Sequence, residues 1–239
     1  MYYLKIRKDF LKTIEDPKEL LVLYYLFVQE NKEGCINFSI KDLIEYWGYK
    51  PKRNEDKINQ IFKTILEKFK KNSIILTNID FINISISTKI HVMFSQKNNI
   101  PWYFNETESF VTLSIKELNI LKQYIDTQKE KIQIEKILFL YLTIKSYMNF
   151  SPQNVAYCFP KLKTLIEVCD FSKTTIYKYI NILKNCNMIY TYSLGNFIDT
   201  NENIIPVPTV YSLTDIEIST LKNNLSAYLY KFKEWEMTV

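Results

Sequence analysis

Two short helical periods, separated by a tight break and followed at once by a strand-like run, constrain this chain more than any other feature. In 159–192, FPKLKTLIEVCDFSKTTIYKYINILKNCNMIYTY, the residues Leu162, Leu165, Ile166 and Cys169 recur at i, i+3, i+4 and i+7. That spacing lays one apolar stripe along a helix. The period stops at Asp170-Phe171. Ser172 then offers an oxygen to the free N–H groups of a new first turn, so the pattern predicts a second helix running to about Cys186. Its inner stripe is Ile176, Tyr179, Ile180 and Leu183. At about 100° per residue, Thr174, Tyr177, Lys178, Asn181 and Asn185 fall on the opposite flank.

Residues 188–192 and 210–213 are apolar and aromatic, as strands are. Between them SLGNFIDTNENIIPVPT carries Gly195-Asn196, Asp199, Asn201, Pro206 and Pro208, a polar hairpin tip. Over about residues 134–213 this order of elements resembles a winged-helix domain of the kind found in bacterial transcription regulators and in plasmid or phage replication initiators. The resemblance implies a helix-turn-helix whose second helix enters the major groove of duplex DNA, with the hairpin as a wing on the backbone. The residues expected at the duplex are Lys161, Lys163, Lys173, Thr174, Thr175, Tyr177, Lys178, Asn181 and Asn196. A solvated helix face would carry the same residue types, and the strand and wing that follow favour DNA.

An earlier segment has the same plan. Leu20, Leu21, Leu23, Tyr24, Phe27 and Val28 make a helix apolar round most of its circumference. Ser39 with Asp42 resembles a capping box for a short helix through Leu43, Ile44 and Trp47. A basic turn holding Lys50, Pro51, Lys52 and Arg53 leads to a third helix over about 54–72, which buries Ile58, Ile61, Phe62, Ile65, Leu66 and Phe69. Arg53, Lys57, Gln60, Lys63 and Thr64 are expected outward and, with Lys52, form a second set of candidate DNA contacts. Asp56 and Glu67 on that face would repel phosphates. Strand-like runs at 74–79, 81–86 and 90–94 close the segment.

The fold expected is mainly α with small β-hairpins, an α+β protein of two winged helix-turn-helix domains and a C-terminal helix. Its domains are 1–95, a linker at 96–113, 114–213, and a final helix over 214–239. The linker holds an aromatic knot, Trp102-Tyr103-Phe104, better suited to an interdomain contact than to base stacking. Ser114 with Glu117 and Thr214 with Glu217 both read as capping boxes. In the final helix Ile218, Leu221, Leu225, Tyr228 and Phe232 step by 3 and 4, as does Trp235, a short coiled-coil seam through which either a homodimer would form or the helix would pack back on the winged-helix domain.

Charge and composition narrow the function. The 31 Lys+Arg against 26 Asp+Glu leave a net +5, compatible with DNA. Arg7 and Arg53 are the only guanidinium forks, so phosphate contact with modest base readout is expected. Cys35, Cys158, Cys169 and Cys186 lack paired spacing and read as reduced core residues; with His91 as the one histidine, neither a metal nor a cofactor is expected. With three glycines the chain offers neither a phosphate loop nor a nucleophile elbow, and His91 alone cannot supply the histidine pair of a DNA-nicking initiator. A non-catalytic protein is expected. The start has no secretory pattern and the longest apolar run is too short to span a bilayer, so a cytoplasmic location without membrane contact is expected. The expected partners are double-stranded DNA, a second copy, and replication or transcription machinery. A regulator of transcription fits nearly as well as an initiator, and a winged helix used for protein interaction stays open as a third reading.

Overall fold

The computed structural model describes residues 3–51, 56–95, 109–128, 130–150, 156–198 and 204–223. The chain forms two compact units. One holds 1–119 with 129–139, the other 120–128 with 140–239. Most of the linker that the sequence places at 96–113 lies outside the described residues; the chain passes between units at 119/120, 128/129 and 139/140. An α+β fold of small antiparallel sheets and helices is observed in both units.

Unit 1 opens with strand β1 (Tyr3–Arg7), helix α1 (Lys8–Leu11), helix α2 (Lys18–Gln29), strand β2 (Cys35–Phe38), helix α3 (Ile40–Tyr46), helix α4 (Lys57–Lys71), strand β3 (Ile75–Leu76), strand β4 (Ile90–Phe94) and strand β5 (Phe110–Ser114). Helix α5 (Ile115–Asp126) and helix α6 (Ile134–Ser146) each contribute to both units. The order α2, β2, α3, α4, β3, β4 carries a three-stranded antiparallel sheet, β2-β4-β3. Strand β1 was not expected. It pairs antiparallel with β5, and alternation puts Leu4, Ile6, Val111 and Leu113 on one buried side.

Unit 2 continues with strand β6 (Asn149–Phe150), strand β7 (Ala156–Cys158), helix α7 (Leu162–Cys169), helix α8 (Lys173–Asn185), strand β8 (Tyr190–Tyr192), strand β9 (Asn196–Ile198), strand β10 (Ile204–Pro206) and strand β11 (Val210–Ser212). Its main sheet runs β6-β7-β11-β8, all antiparallel. The order helix, strand, helix, helix, strand, strand of α2 to β4 is matched in unit 2 by α6, β7, α7, α8, β8 and β11, with the last strand between the other two each time; unit 2 adds β6 at the sheet edge and the β9-β10 ladder between β8 and β11.

The sequence explains these elements locally. Ser39 and Asp42 form the expected capping box, with the Asp42 N–H donating to Ser39 Oγ at 3.1 Å and the Ser39 N–H to Asp42 Oδ2 at 3.0 Å. Ser114 and Glu117 form theirs. Thr214 and Glu217 do not, because the last helix begins at 218 and the Ile216 N–H donates to the Tyr192 hydroxyl. The third helix of each unit ends alike. Ser73 (φ 54°) and Asn187 (φ 53°) adopt the left-handed conformation. The following N–H groups of Ile74 and Met188 reach back to the carbonyls of Phe69 and Leu183, which turns each chain directly into its next strand.

Strand β11 is buried on both faces. Tyr211 lies opposite Cys158, whose Sγ donates to the Ile144 carbonyl of α6 at 3.5 Å. On the other face Val210 and Tyr157 pack with Ile216 and Leu221. Leu221 is thus fully buried in its own unit while Ile218 is 53% exposed, so these two do not lie together on an open seam. The reason is that Tyr192 holds residues 215–216 onto the sheet, donating to Asp215 Oδ1 and accepting from the Ile216 N–H, both at 2.7 Å. Leu225, Tyr228, Phe232 and Trp235 lie outside the described residues, as do 96–108 with the aromatic knot.

Cys158, Cys169 and Cys186 are buried free thiols, and Cys35 is half-buried. Burial pushes the Cys169 and Cys186 thiols up to about 11. Alkylation of the folded protein at neutral pH should therefore label Cys35 first and spare the other three until denaturant is added, which mass spectrometry of the labelled peptides reads directly. Leu183, on the inner stripe of α8, is fully buried. Leu183→Ala should destabilise unit 2 by about 2–5 kcal/mol in urea titration.

Candidate nucleic-acid interface

Helices α7 and α8 are joined by a turn at 170–172. Asp170 caps α7 in the left-handed conformation at φ 52°, which a short polar side chain tolerates. Phe171 is buried edge-on to Tyr179, with ring centroids 6.0 Å apart, and so fixes the direction in which α8 leaves. Ser172 caps α8, its Oγ accepting from the Thr175 N–H at 3.2 Å. The second apolar stripe follows as predicted: Ile176, Tyr179, Ile180 and Leu183 are buried, and Ile182 joins them.

The opposite flank is open. Lys173, Thr174, Tyr177, Lys178, Asn181, Lys184 and Asn185 are all exposed, Tyr177 by 48%. Lys173 Nζ stands 5.9 Å from the centre of the Tyr177 ring, one turn along. Thr175 differs from expectation. It is half-buried with its hydroxyl 2.8 Å from Ser172 Oγ, so it serves the cap. Asn185 also differs, because its Nδ2 donates to the Tyr124 hydroxyl of α5 at 3.1 Å, which ties that end of the flank to its own unit. From 171 to 198 the sequence contains no acidic residue. The groups this flank itself presents are therefore three lysines, the fixed N–H groups of the first turn, and neutral amides and hydroxyls.

Around α8, Lys161 and Lys163 are exposed at the start of α7, where Lys163 Nζ lies 3.7 Å from Glu167 Oε1. Beyond β8 the described parts of the polar segment, 193–198 and 204–209, hold a further ladder. Gly195, at φ 77°, ends the β8 ladder and lets the chain turn into β9, which pairs with β10 in a second two-stranded ladder. The Val207 N–H donates to the Gly195 carbonyl at 3.0 Å and closes the base of that ladder. Asn196 is exposed there, as expected, opposite Pro206. Lys184 was missed in the sequence because a lysine in a last helical turn equally serves the helix dipole.

In unit 1 the corresponding helix is covered in part. Lys57 and Thr64 are exposed and Gln60 is half-buried, but Lys63 is 3% exposed, against expectation. The connection 77–89 lies across it: Lys63 Nζ donates to the Ile82 carbonyl at 3.1 Å and Lys70 Nζ to the Ile79 carbonyl at 2.8 Å. Phe81 and Ile86 are buried, and the Lys41 N–H of α3 donates to the Ile86 carbonyl. The run 81–86 is thus not a strand. Asp80 accepts from the N–H groups of Ile82 and Asn83, an Asx-type turn that diverts the chain out of the sheet. Lys52 and Arg53 lie outside the described residues.

Two buried glutamates make ionic ties within unit 1. Glu19 is buried, accepts from the Glu15 and Asp16 N–H groups, and meets Lys68 Nζ at 2.9 Å, joining α2 to α4. Glu135 is 1% exposed, with Lys18 Nζ at 3.3 Å and the Tyr49 hydroxyl donating at 3.0 Å. Burial and the Glu135 charge raise the Tyr49 hydroxyl far above its ordinary range.

Residues 136–189 match the family model of a helix-turn-helix domain. The match runs from α6 through α7, the turn and α8 to the residues before β8, which are the elements that present the open flank. No curated protein matches the chain. Among the described residues no three His, Cys, Asp or Glu side chains group as metal ligands, and no helix is long and apolar enough to cross a membrane.

Lys63 and Lys57 separate a structural from a surface role. Lys63→Ala should lower the stability of unit 1 by about 1–3 kcal/mol, since the Ile82 carbonyl loses its donor. It should leave duplex affinity unchanged in a fluorescence titration. Lys57→Ala should not alter the melting curve.

Proposed function

We propose that this chain is a non-catalytic, sequence-specific duplex DNA-binding protein. Unit 2 docks α8 in the major groove, and the hairpin that includes β9 and β10 acts as the wing along the phosphate backbone. The observation that carries the reading is the open flank of α8, polar and free of carboxylates over 171–198, at the end of a region that matches a helix-turn-helix family model. The first turn of α8, with Lys173 beside it, offers backbone N–H groups and a cation to phosphate. Lys161 and Lys178 extend that field.

Within this class we favour an initiator of the plasmid or phage type over a regulator of transcription. The support is the recurrence in unit 1 of the same order of helices and strands. Two such units along one duplex suit an origin built of repeated sites. A homodimer and contact with replication or transcription machinery belong to the same proposal. Unit 1 also supports the protein-interaction reading, because the flank of its α4 around Lys63 is occupied by 77–89. The exposed pair Leu76 and Met93 lies side by side on its sheet.

Replacing Lys173 or Lys178 by Ala should weaken binding to every duplex alike. The slope of log K against log salt should flatten by about 0.9 for every phosphate that the variant no longer neutralises. An anisotropy titration at several salt concentrations measures both. Unchanged affinity and slope in both variants would reject the assigned flank.

A further inference from the structure

We infer that α8 reads A·T base pairs, with the Asn181 amide paired to the N6 and N7 edge of an adenine and Thr174 and Tyr177 set against thymine methyl groups. The inference deepens the duplex reading above and rests on it. It follows from which planar groups the open flank holds. Guanine is read most strongly by the guanidinium fork of arginine. The chain has two arginines, Arg7 and Arg53, and unit 2 contains neither. Cytosine is read by a carboxylate that accepts from its N4 amino group. Residues 171–198 contain none.

Amides remain, and an amide matches adenine because it donates to N7 and accepts from N6 in one plane. Two stand on the flank. Asn185 is already engaged with the Tyr124 hydroxyl at 3.1 Å. Asn181 is exposed, two helical turns beyond Thr174 and one beyond Tyr177. From Thr174 to Asn181 the helix rises about 10 Å, close to three base-pair steps. The Thr174 methyl and the Tyr177 ring, which is 48% exposed, are the apolar surfaces on that path, and thymine alone presents a methyl group in the major groove. Lys173 and Lys178 are compact charges without a planar fork; Lys173, at the start of α8, suits a phosphate, and a lysine that reached guanine O6 and N7 would show in the selection as a G·C core.

The test selects duplexes from a random pool with the full chain, then titrates the winner and its analogues. A·T steps should be enriched at the core of the site. Replacing one adenine by 7-deazaadenine, which exchanges N7 for C–H, should weaken the wild-type protein by roughly five- to hundredfold. The same replacement should cost Asn181→Ala nothing further. Uracil in place of thymine should weaken binding at the positions facing Thr174 and Tyr177. Circular dichroism melting of Asn181→Ala should match the wild type, since the side chain is exposed. Tight binding to a G·C core, or an undiminished adenine preference in Asn181→Ala, overturns the inference and leaves the duplex reading standing. Failure to bind any duplex at low salt overturns both.

Discussion

The turn at 170–172 is the constraint on which the interface depends. A left-handed residue ends one helix, a buried aromatic ring pins the corner, and a serine oxygen starts the next helix within three residues. A cap of the Ser172 kind contributes about 1 kcal/mol. Its larger effect is directional: α8 must start at one residue with one phase, so Ile176, Ile180 and Leu183 turn inward together and Thr174, Lys178 and Asn181 turn outward together. A slip of one residue would rotate the helix by about 100° and bury the lysines.

The two units share more than an order of elements. In each, a non-glycine residue in the left-handed conformation closes the third helix, and the next N–H returns to a carbonyl five residues back. The strand that follows is thereby aimed at the same place in each sheet. What happens between the last two strands separates the units. In unit 2 the chain forms a second ladder, β9 with β10, beyond Gly195. In unit 1 it folds back across α4 and α3.

Much of unit 2 was legible in the sequence, because its helices are amphipathic and their starts and stops use side chains with one clear role. Asp170, Ser172 and the apolar strand at 210–212 read as they fold. The failures have a common cause in pairing and packing over long sequence distances. Strand β1 gains its partner over a hundred residues away, at β5. Lys63 sits at a helical angle that leaves it outward until 77–89 covers it, and β-branched residues at 81–86 suggested a strand where Asp80 makes a turn. The spacing of Leu221 suits a seam and a helix packed back on its domain equally, and it is Tyr192, far away in sequence, that draws its segment onto the sheet. No local rule carries such information.

The strap over α4 is held by main-chain carbonyls at Ile79 and Ile82, and the lysines that grip it are indifferent to which side chains those positions bear. Phe81 and Ile86, which enter the core, Asp80, which sets the turn, and Lys89, whose Nζ lies 2.9 Å from Asp42 Oδ2, tie the strap to particular residues. Exposed positions such as Ile82 and Asn83 can thus change side chain while the carbonyl grip persists, and a surface whose chemistry can be rewritten without unfolding its support is good raw material for changing partners.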